Sequence, residues 1–165
     1  MVDTIDAVRG VNAKIVLETT YSNIIYSSRD SVWSYLRSDL ENHSDTSLKT
    51  SNVFTSIPKS LAKGTGFPYV IVPSPSLSEE RITFTQKKIL VTFDIDIWIS
   101  KSSTIKLVDR IRTLLSSVSS TFSGTLNLNQ FLNSSGSPET IELPNGEFVK
   151  KYTLTIQYEW VGDPS

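Results

Sequence analysis

The strongest pattern of hydrophobic and polar positions lies in residues 81–100, RITFTQKKILVTFDIDIWIS. Every second residue from Ile89 to Ile99 is apolar, and Asp94 and Asp96 lie between them. Because successive side chains of a β-strand point to opposite faces, this alternation predicts one long strand with one face in the core. Residues 151–160, KYTLTIQYEW, alternate in the same way, so a second long strand with one buried face is expected there.

Two other segments show helical periodicity. Ser28 can cap the first helix, in which apolar residues recur at spacings of three and four: Val32, Trp33, Leu36 and Leu40. Ser102 or Ser103 can cap the second, whose apolar residues form one stripe: Leu107, Val108, Ile111, Leu114, Leu115 and Val118. We expect the second helix to pack across the sheet.

Shorter strands are predicted at residues 69–72 and 125–132, and a hairpin around Asn145-Gly146, a dipeptide that favours tight turns. The order is then helix, strands, helix, strands. This order predicts an α+β fold, with a mostly antiparallel twisted β-sheet and two main helices packed against it.

The 165 residues are enough for one domain, which we expect to span the whole chain, with residues 1–27 as an N-terminal extension. Residues 42–56 and 133–147 are polar and lack periodicity, so both are expected to be loops. Long loops in a compact domain are often functional. Each is therefore either a contact segment or a plain surface loop.

Composition excludes several classes of function. Sixteen basic and seventeen acidic residues give a formal charge of -1, which provides no overall field to attract nucleic acid or an anionic membrane. The absence of cysteine excludes disulfides and thiolate metal sites. No apolar run is long enough to span a membrane, and no signal peptide is recognisable, so we expect a soluble protein made in the cytoplasm.

Candidate chemistry is sparse. His43 is the only histidine, and no G-x-S-x-G elbow accompanies it, so a catalytic triad is not expected. Asp94 and Asp96 should point the same way from one strand, and two carboxylates could bind a divalent cation or act as acid and base. A contact face between subunits is the favoured interpretation, because Trp98 shares that face and exposed tryptophan is typical of contact surfaces.

The order of the segments FPYVIV, KKILVTFDIDIWI, IKLVDRIRTLL and KYTLTIQYEW resembles that of the tail terminator proteins of long-tailed phages, including the lambda-type minor tail proteins. The resemblance covers about residues 28–161. In that family an F-P strand is followed by a long alternating strand, a helix, and a closing strand that ends in Y-E. The matching residues here are Phe67, Pro68, Trp98, Tyr158 and Glu159.

The resemblance implies a structural virion protein and not an enzyme, made in the host cytoplasm and located at the head-proximal end of the tail. It implies a homohexameric ring that caps the tail tube, stops its polymerisation and offers its other face to head-completion (neck) proteins. The implied partners are other copies of the chain, the tail tube protein and a neck protein. No cofactor, metal, membrane or sequence-specific nucleic acid is implied, although DNA would pass through the ring.

Two other functions stay open. The chain could be a head-completion or neck adaptor protein, which differs from a terminator in the partner that it recruits. It could also be a small metal-binding enzyme that depends on Asp94 and Asp96. Binding of divalent cations, lost when both aspartates are replaced, would distinguish the enzyme.

The two kinds of protein contact are expected at different places. The residues expected at contacts between ring subunits are Asp94, Asp96 and Trp98, with Lys151 and Glu159 as partners. The residues expected to contact the tube or neck lie in the two polar loops: His43, Asp45, Lys49, Phe54, Ser135, Glu139 and Glu142. On this interpretation Trp98 is exposed in the monomer, and its replacement by Ala would weaken the ring without unfolding the chain.

Overall fold

The computed structural model describes most of the chain: residues 23–46, 48–63, 66–83, 87–100, 105–118, 120–121, 124–133 and 138–162. Within these ranges, helix α1 covers residues 23–41, helix α2 covers Ile105–Ser116, and a short 3-10 helix covers Lys59–Lys63. The described residues form eight strands: β1 (Val53–Phe54), β2 (Tyr69–Ile71), β3 (Ser76–Arg81), β4 (Lys87–Ile99), β5 (Ser120–Thr121), β6 (Gly124–Asn133), β7 (Glu139–Glu142) and β8 (Phe148–Gly162).

The long strands β4 and β8 form the centre of one sheet and pair antiparallel over all 13 residues of β4. Along the edge of β4 that points away from β8, β3 pairs with the first half of β4 and β2 pairs with the end of β4. Along the edge of β8 that points away from β4, β7 pairs with the start of β8 and β6 pairs with the second half of β8. The sheet therefore consists of two half-sheets that share β4 and β8.

The first half-sheet has the strand order β1-β2-β4-β8-β7, and the second has the order β3-β4-β8-β6-β5. The pairing of β1 with β2 is parallel, and the other pairings between described strands are antiparallel. The predicted α+β fold with a mostly antiparallel sheet is confirmed.

Both helices pack on one face of the sheet, which we call the helix face. The alternating residues predicted to be core do lie there, at 0–2% exposure: Ile89, Val91, Phe93, Ile95, Ile97 and Ile99. The residues that β8 contributes to the same cluster are Tyr152, Leu154, Ile156, Tyr158 and Trp160. Complete burial of each such side chain stabilises the fold by about 1.5–3 kcal/mol. The core of the molecule is therefore on this face.

Helix α1 begins earlier than the sequence predicts. Residues 23–27, assigned above to the N-terminal extension, are helical, and Ile24 is 1% exposed in the core. Ser28 lies one turn further along the same buried stripe, and its hydroxyl has no hydrogen-bond partner in the described part of the chain. The prediction that Ser28 caps the helix is therefore wrong, because burial of Ile24 outweighs the local preference of serine for a cap. Residues 1–22 of the predicted extension lie outside the described residues.

Two polar contacts fix helix α2 to its neighbours. Arg110 donates to both carboxylate oxygens of Asp39 on α1, with Nη2–Oδ1 and Nε–Oδ2 distances of 2.6 and 3.2 Å, and this hydrogen bond raises the pKa of Arg110. The hydroxyl of Tyr158 donates to the Leu115 carbonyl at 2.7 Å, and burial raises the pKa of Tyr158. The first contact ties α2 to α1, and the second ties it to β8.

The predicted loop at residues 42–56 is only partly a loop, because β1 lies inside it. Thr50 is buried, and its hydroxyl donates to the Pro68 carbonyl at 2.8 Å. The indole Nε1 of Trp33 donates to the Val53 carbonyl at 2.8 Å. A two-residue strand is too short to show alternation, so its pairing with β2 is decided by these contacts.

The second predicted loop, residues 133–147, likewise contains a strand, β7. The hairpin at Asn145-Gly146 is confirmed: Gly146 has φ of 87°, and its N–H donates to the Leu143 carbonyl at 2.9 Å. Residues 134–137 of this loop lie outside the described part of the chain.

We predict that Tyr158→Phe lowers the free energy of unfolding by about 1–2 kcal/mol, because it removes a buried hydrogen bond without removing the ring. Urea denaturation would measure the change. Tyr152→Phe is the matched control, since the Tyr152 hydroxyl has no hydrogen bond to another described residue. Equal stabilities of the two variants would contradict a role for the bond to Leu115.

Candidate functional site

The opposite face of the sheet, which we call the outer face, carries all five residues predicted for contacts between subunits. Their strand positions place them there: Asp94, Asp96 and Trp98 on β4, and Lys151 and Glu159 on β8. In the β4–β8 register, Trp98 lies opposite Lys151, Asp96 opposite Thr153, and Asp94 opposite Thr155. The alternation therefore placed these side chains on the correct face.

A row of hydrogen-bonded polar side chains runs along this face, and we call it the polar strip: Thr92, Asp94, Asp96, Thr153, Thr155 and Gln157. The hydroxyl of Thr153 donates to Asp96, and that of Thr155 donates to Asp94, both at 2.7 Å. Gln157 donates to the Thr92 hydroxyl at 3.4 Å. Such cross-strand pairs stabilise the sheet and hold both carboxylates in place.

The two aspartates differ in exposure. Asp94 is exposed, whereas Asp96 is half-buried. Neither carboxylate forms an ion pair with another described residue. Each carboxylate therefore keeps lone pairs, beyond the one that its threonine occupies, that can accept further hydrogen bonds.

Trp98 is buried, so the prediction of an exposed tryptophan is wrong. Only 8% of its surface is exposed, and it belongs to a second hydrophobic cluster on the outer face: Leu61, Tyr69, Ile71, Trp98, Leu143 and Val149. Leu61 comes from residues 55–63, which together with residues 66–68 we call the cover segment. The alternation predicts that this end of the outer face is exposed to solvent, but the cover segment packs on it and buries it. The indole N–H of Trp98 is also buried and has no hydrogen-bond partner among the described residues.

Contacts with β2 and with the segment before β1 fix the cover segment. The Tyr69 hydroxyl donates to Ser60 at 3.2 Å, and the Asn52 side chain donates to the Gly66 carbonyl. Gly66 has φ of 83°, and a Cβ there would lie 2.9 Å from the Tyr69 hydroxyl. This close approach explains why the position holds glycine.

Lys151 and Glu159 already have partners within the chain. The ammonium of Lys151 lies 3.3 Å from Glu139 and 5.5 Å from the centre of the Trp98 ring. The carboxylate of Glu159 lies 3.2 Å from the Lys88 ammonium. These ion pairs connect β8 to β7 and to β4, so both residues contribute to the fold whatever else they contact.

The residues predicted for tube or neck contacts fall into several groups. His43, Asp45 and Lys49 lie in the segment that leads from α1 to β1, where the Asp45 N–H donates to Nδ1 of His43 at 3.0 Å. Phe54 is half-buried in β1, 6.1 Å from the Tyr69 ring, so its assignment to a loop is wrong.

The remaining residues of that prediction belong to the second polar segment. Glu139 and Glu142 are exposed, but they lie in β7 and not in a loop, because β7 pairs with β8. Ser135 lies outside the described residues. The first half-sheet therefore has the glutamates at its β7 edge and the segment carrying Lys49 before its β1 edge.

The two most exposed large apolar side chains among the described residues were not predicted from the sequence. Ile57 is 65% exposed in the cover segment, and Phe148 is 64% exposed at the start of β8. Ile57 lies between Ser56 and Pro58, and Phe148 lies between Glu147 and Val149, so neither belongs to a repeated period that would predict its exposure. Their exposure depends on which neighbouring segments cover them.

Other kinds of site find little support in the described ranges. No group of three or more His, Cys, Asp or Glu side chains is placed there to hold a metal ion. A cavity of about 290 Å³ beside β3 is lined by Leu77, Ser78, Glu79 and Ile89. No helix in the described part of the chain is long and apolar enough to cross a membrane.

The sequence matches no protein-family model and no curated protein. The fold is similar to that of a chain in the solved structure of the virion of a native gene transfer agent particle, with a TM-score of 0.55 and 14% sequence identity. The match covers 81% of this chain and 94% of that chain. At this identity the similarity establishes a shared fold.

We predict that Trp98→Ala destabilises the chain by about 3 kcal/mol, because it leaves a cavity in the second cluster. Chemical denaturation would measure the loss. Asp94→Ala on the same strand face is the control, since Asp94 is exposed and its replacement should change stability by less than about 1 kcal/mol. A Trp98→Ala variant as stable as the unmodified chain would show that the cover segment does not pack on Trp98.

Proposed function

We propose that this chain is a structural protein of a tailed, phage-like virion, and more specifically a tail terminator. In this proposal it forms a homohexameric ring at the head-proximal end of the tail. The ring caps the tail tube, stops its polymerisation and binds head-completion (neck) proteins on its other face. DNA passes through the ring without sequence-specific contacts, and no cofactor takes part.

The observation that carries the proposal is the fold similarity to a chain of the gene transfer agent virion. It covers 94% of that chain, so it involves nearly the whole fold of a virion component and not a single supersecondary motif. The sequence resemblance to tail terminators supports the same assignment from the order of its segments, including Phe67-Pro68 and Tyr158-Glu159. Fold and segment order thus agree on a virion protein.

The chemistry of the outer face suits binding better than catalysis. Asp94 and Asp96 present carboxylate oxygens on a sheet face, and each accepts a hydrogen bond from a threonine hydroxyl. A general acid or base acts on a substrate held within hydrogen-bond reach, and the cavity found among the described residues is lined by Leu77, Ser78, Glu79 and Ile89 and not by the two aspartates. We therefore propose that the two aspartates contact another protein. Trp98 is excluded from this contact because it is buried within the chain.

The proposal predicts an assembly with six times the mass of one chain. Light scattering across a concentration series would detect either a hexamer alone or a monomer that forms a ring when tail tubes are added. Electron microscopy of the tubes should then show a cap at one end and tubes of fixed length. If the protein stays monomeric, does not bind tubes and binds a neck protein, the result would favour a neck adaptor over a tail terminator.

A second prediction addresses the metal-binding alternative. We expect calorimetry with Mg²⁺ or Ca²⁺ to show no binding at the aspartates, because Ca²⁺ takes about six to eight oxygen ligands and only two carboxylates meet here. The variant Asp94→Asn with Asp96→Asn serves as the comparison. Binding by the unmodified chain that this variant loses would favour the enzyme.

A further inference from the structure

The segments on either side of β1, the edge strand of the first half-sheet, are basic. Residues 46–78, which include β1, β2 and the cover segment, contain three lysines and no Asp or Glu. Lys49 and Lys59 are exposed, and neither forms an ion pair with another described residue. Ile57 lies two residues before Lys59 and is 65% exposed. Lys49 precedes the edge strand β1 in the sequence, Ile57 and Lys59 follow it, and we call these three residues the basic edge.

The other edge of the same half-sheet is acidic. Residues 138–148, which include β7 and the hairpin, contain three glutamates and no Lys or Arg. Lys151 follows on β8 but is bound by Glu139, and Lys150 is exposed. Glu142 and Glu147 are exposed at the hairpin without an ion pair to a described residue.

Each charged edge also carries one exposed apolar side chain. Phe148 is 64% exposed, and it is the strand partner of Glu142. With Glu142 and Glu147 it forms what we call the acidic edge. Single exposed apolar residues also occur at Ile82 beyond β3 and at Leu132 on β6, so the opposite charges, which provide specificity at protein contacts, are what distinguish these two edges.

The second half-sheet has no such complementary pair. Its β3 edge carries Glu79, Glu80 and Arg81, whereas residues 120–133, which include β5 and β6 at the opposite edge, contain no charged residue. Charge complementarity between opposite edges is therefore specific to the first half-sheet.

We infer that the acidic edge of one copy docks on the basic edge of the next copy, head to tail. The inference rests on the ring proposed above and names its contact surfaces. Because the two surfaces differ, every copy uses both, and the contacts close into a ring when the rotation per step completes a circle. Opposite charges fix the register, and Phe148 and Ile57 become buried at the contact.

Charge reversal at each edge tests the inference. One variant carries Glu142→Lys and Glu147→Lys, so both of its edges are basic; the other carries Lys49→Glu and Lys59→Glu, so both are acidic. Like charges then meet at each contact, and each variant alone should need at least about tenfold more protein for half-assembly. An equimolar mixture should recover assembly, since alternating copies pair opposite charges in a ring with an even number of subunits.

The control reverses two charges elsewhere, with Lys106→Glu and Asp109→Lys on the exposed face of α2. This variant should assemble like the unmodified chain, and thermal unfolding should show that all variants are folded. Two outcomes would overturn the edge contact but not the proposed ring. In the first, the edge variants assemble as well as the unmodified chain. In the second, both variants are folded and fail to assemble alone, and their mixture also fails to assemble. If the unmodified chain stays monomeric even with tubes, the proposed ring itself fails.

Discussion

The antiparallel pairing of β4 with β8 is the constraint on which the rest of the structure depends. All 13 residues of β4 take part, and the pairing assigns every side chain of both strands to one of two faces. A shift of one residue would expose the apolar set and bury the aspartates, so burial of the helix face specifies the register strongly. Both helices, the polar strip and the four flanking strands take their positions from this pair.

On the outer face, the β4–β8 pair carries two different surfaces, one apolar and covered and one polar and open. At one end the cover segment brings Leu61 onto Trp98 and Tyr69 and forms a second small core. At the other end nothing described covers Asp94, and the polar strip satisfies its hydrogen bonds across the strands. The boundary between them lies at the row of Trp98 and Lys151. On this face, the surface open to another protein comprises the strip, the outside of the cover segment and the sheet edges.

A near-neutral total charge conceals an uneven distribution along the chain. Lysines without acids cluster around β1 and β2, and glutamates without bases cluster around β7. The sheet then places these segments at opposite edges of one half-sheet. A chain with complementary opposite edges is suited to head-to-tail association, which agrees with the proposed ring and requires no catalytic group.

The sequence by itself determined the long elements and their faces. In β4, β8 and α2 the period is repeated enough times that local burial preferences identify the strand or helix and its buried side. The same alternation placed Asp94, Asp96, Lys151 and Glu159 on one face. The alternation does not identify the ion-pair partners of Lys151 and Glu159. These partners are Glu139, which lies on β7, and Lys88, which lies on β4.

Only the tertiary structure decided which surfaces are covered. Trp98 is buried by Leu61, which lies 37 residues away along the chain, and α1 extends to Ile24 because the sheet offers an apolar surface there. The short strands β1 and β7 exist because a neighbouring strand pairs with them. A local sequence pattern indicates which face of a helix or strand is apolar. Whether another segment buries a given surface depends on contacts between residues distant in sequence, and these form only when the chain folds.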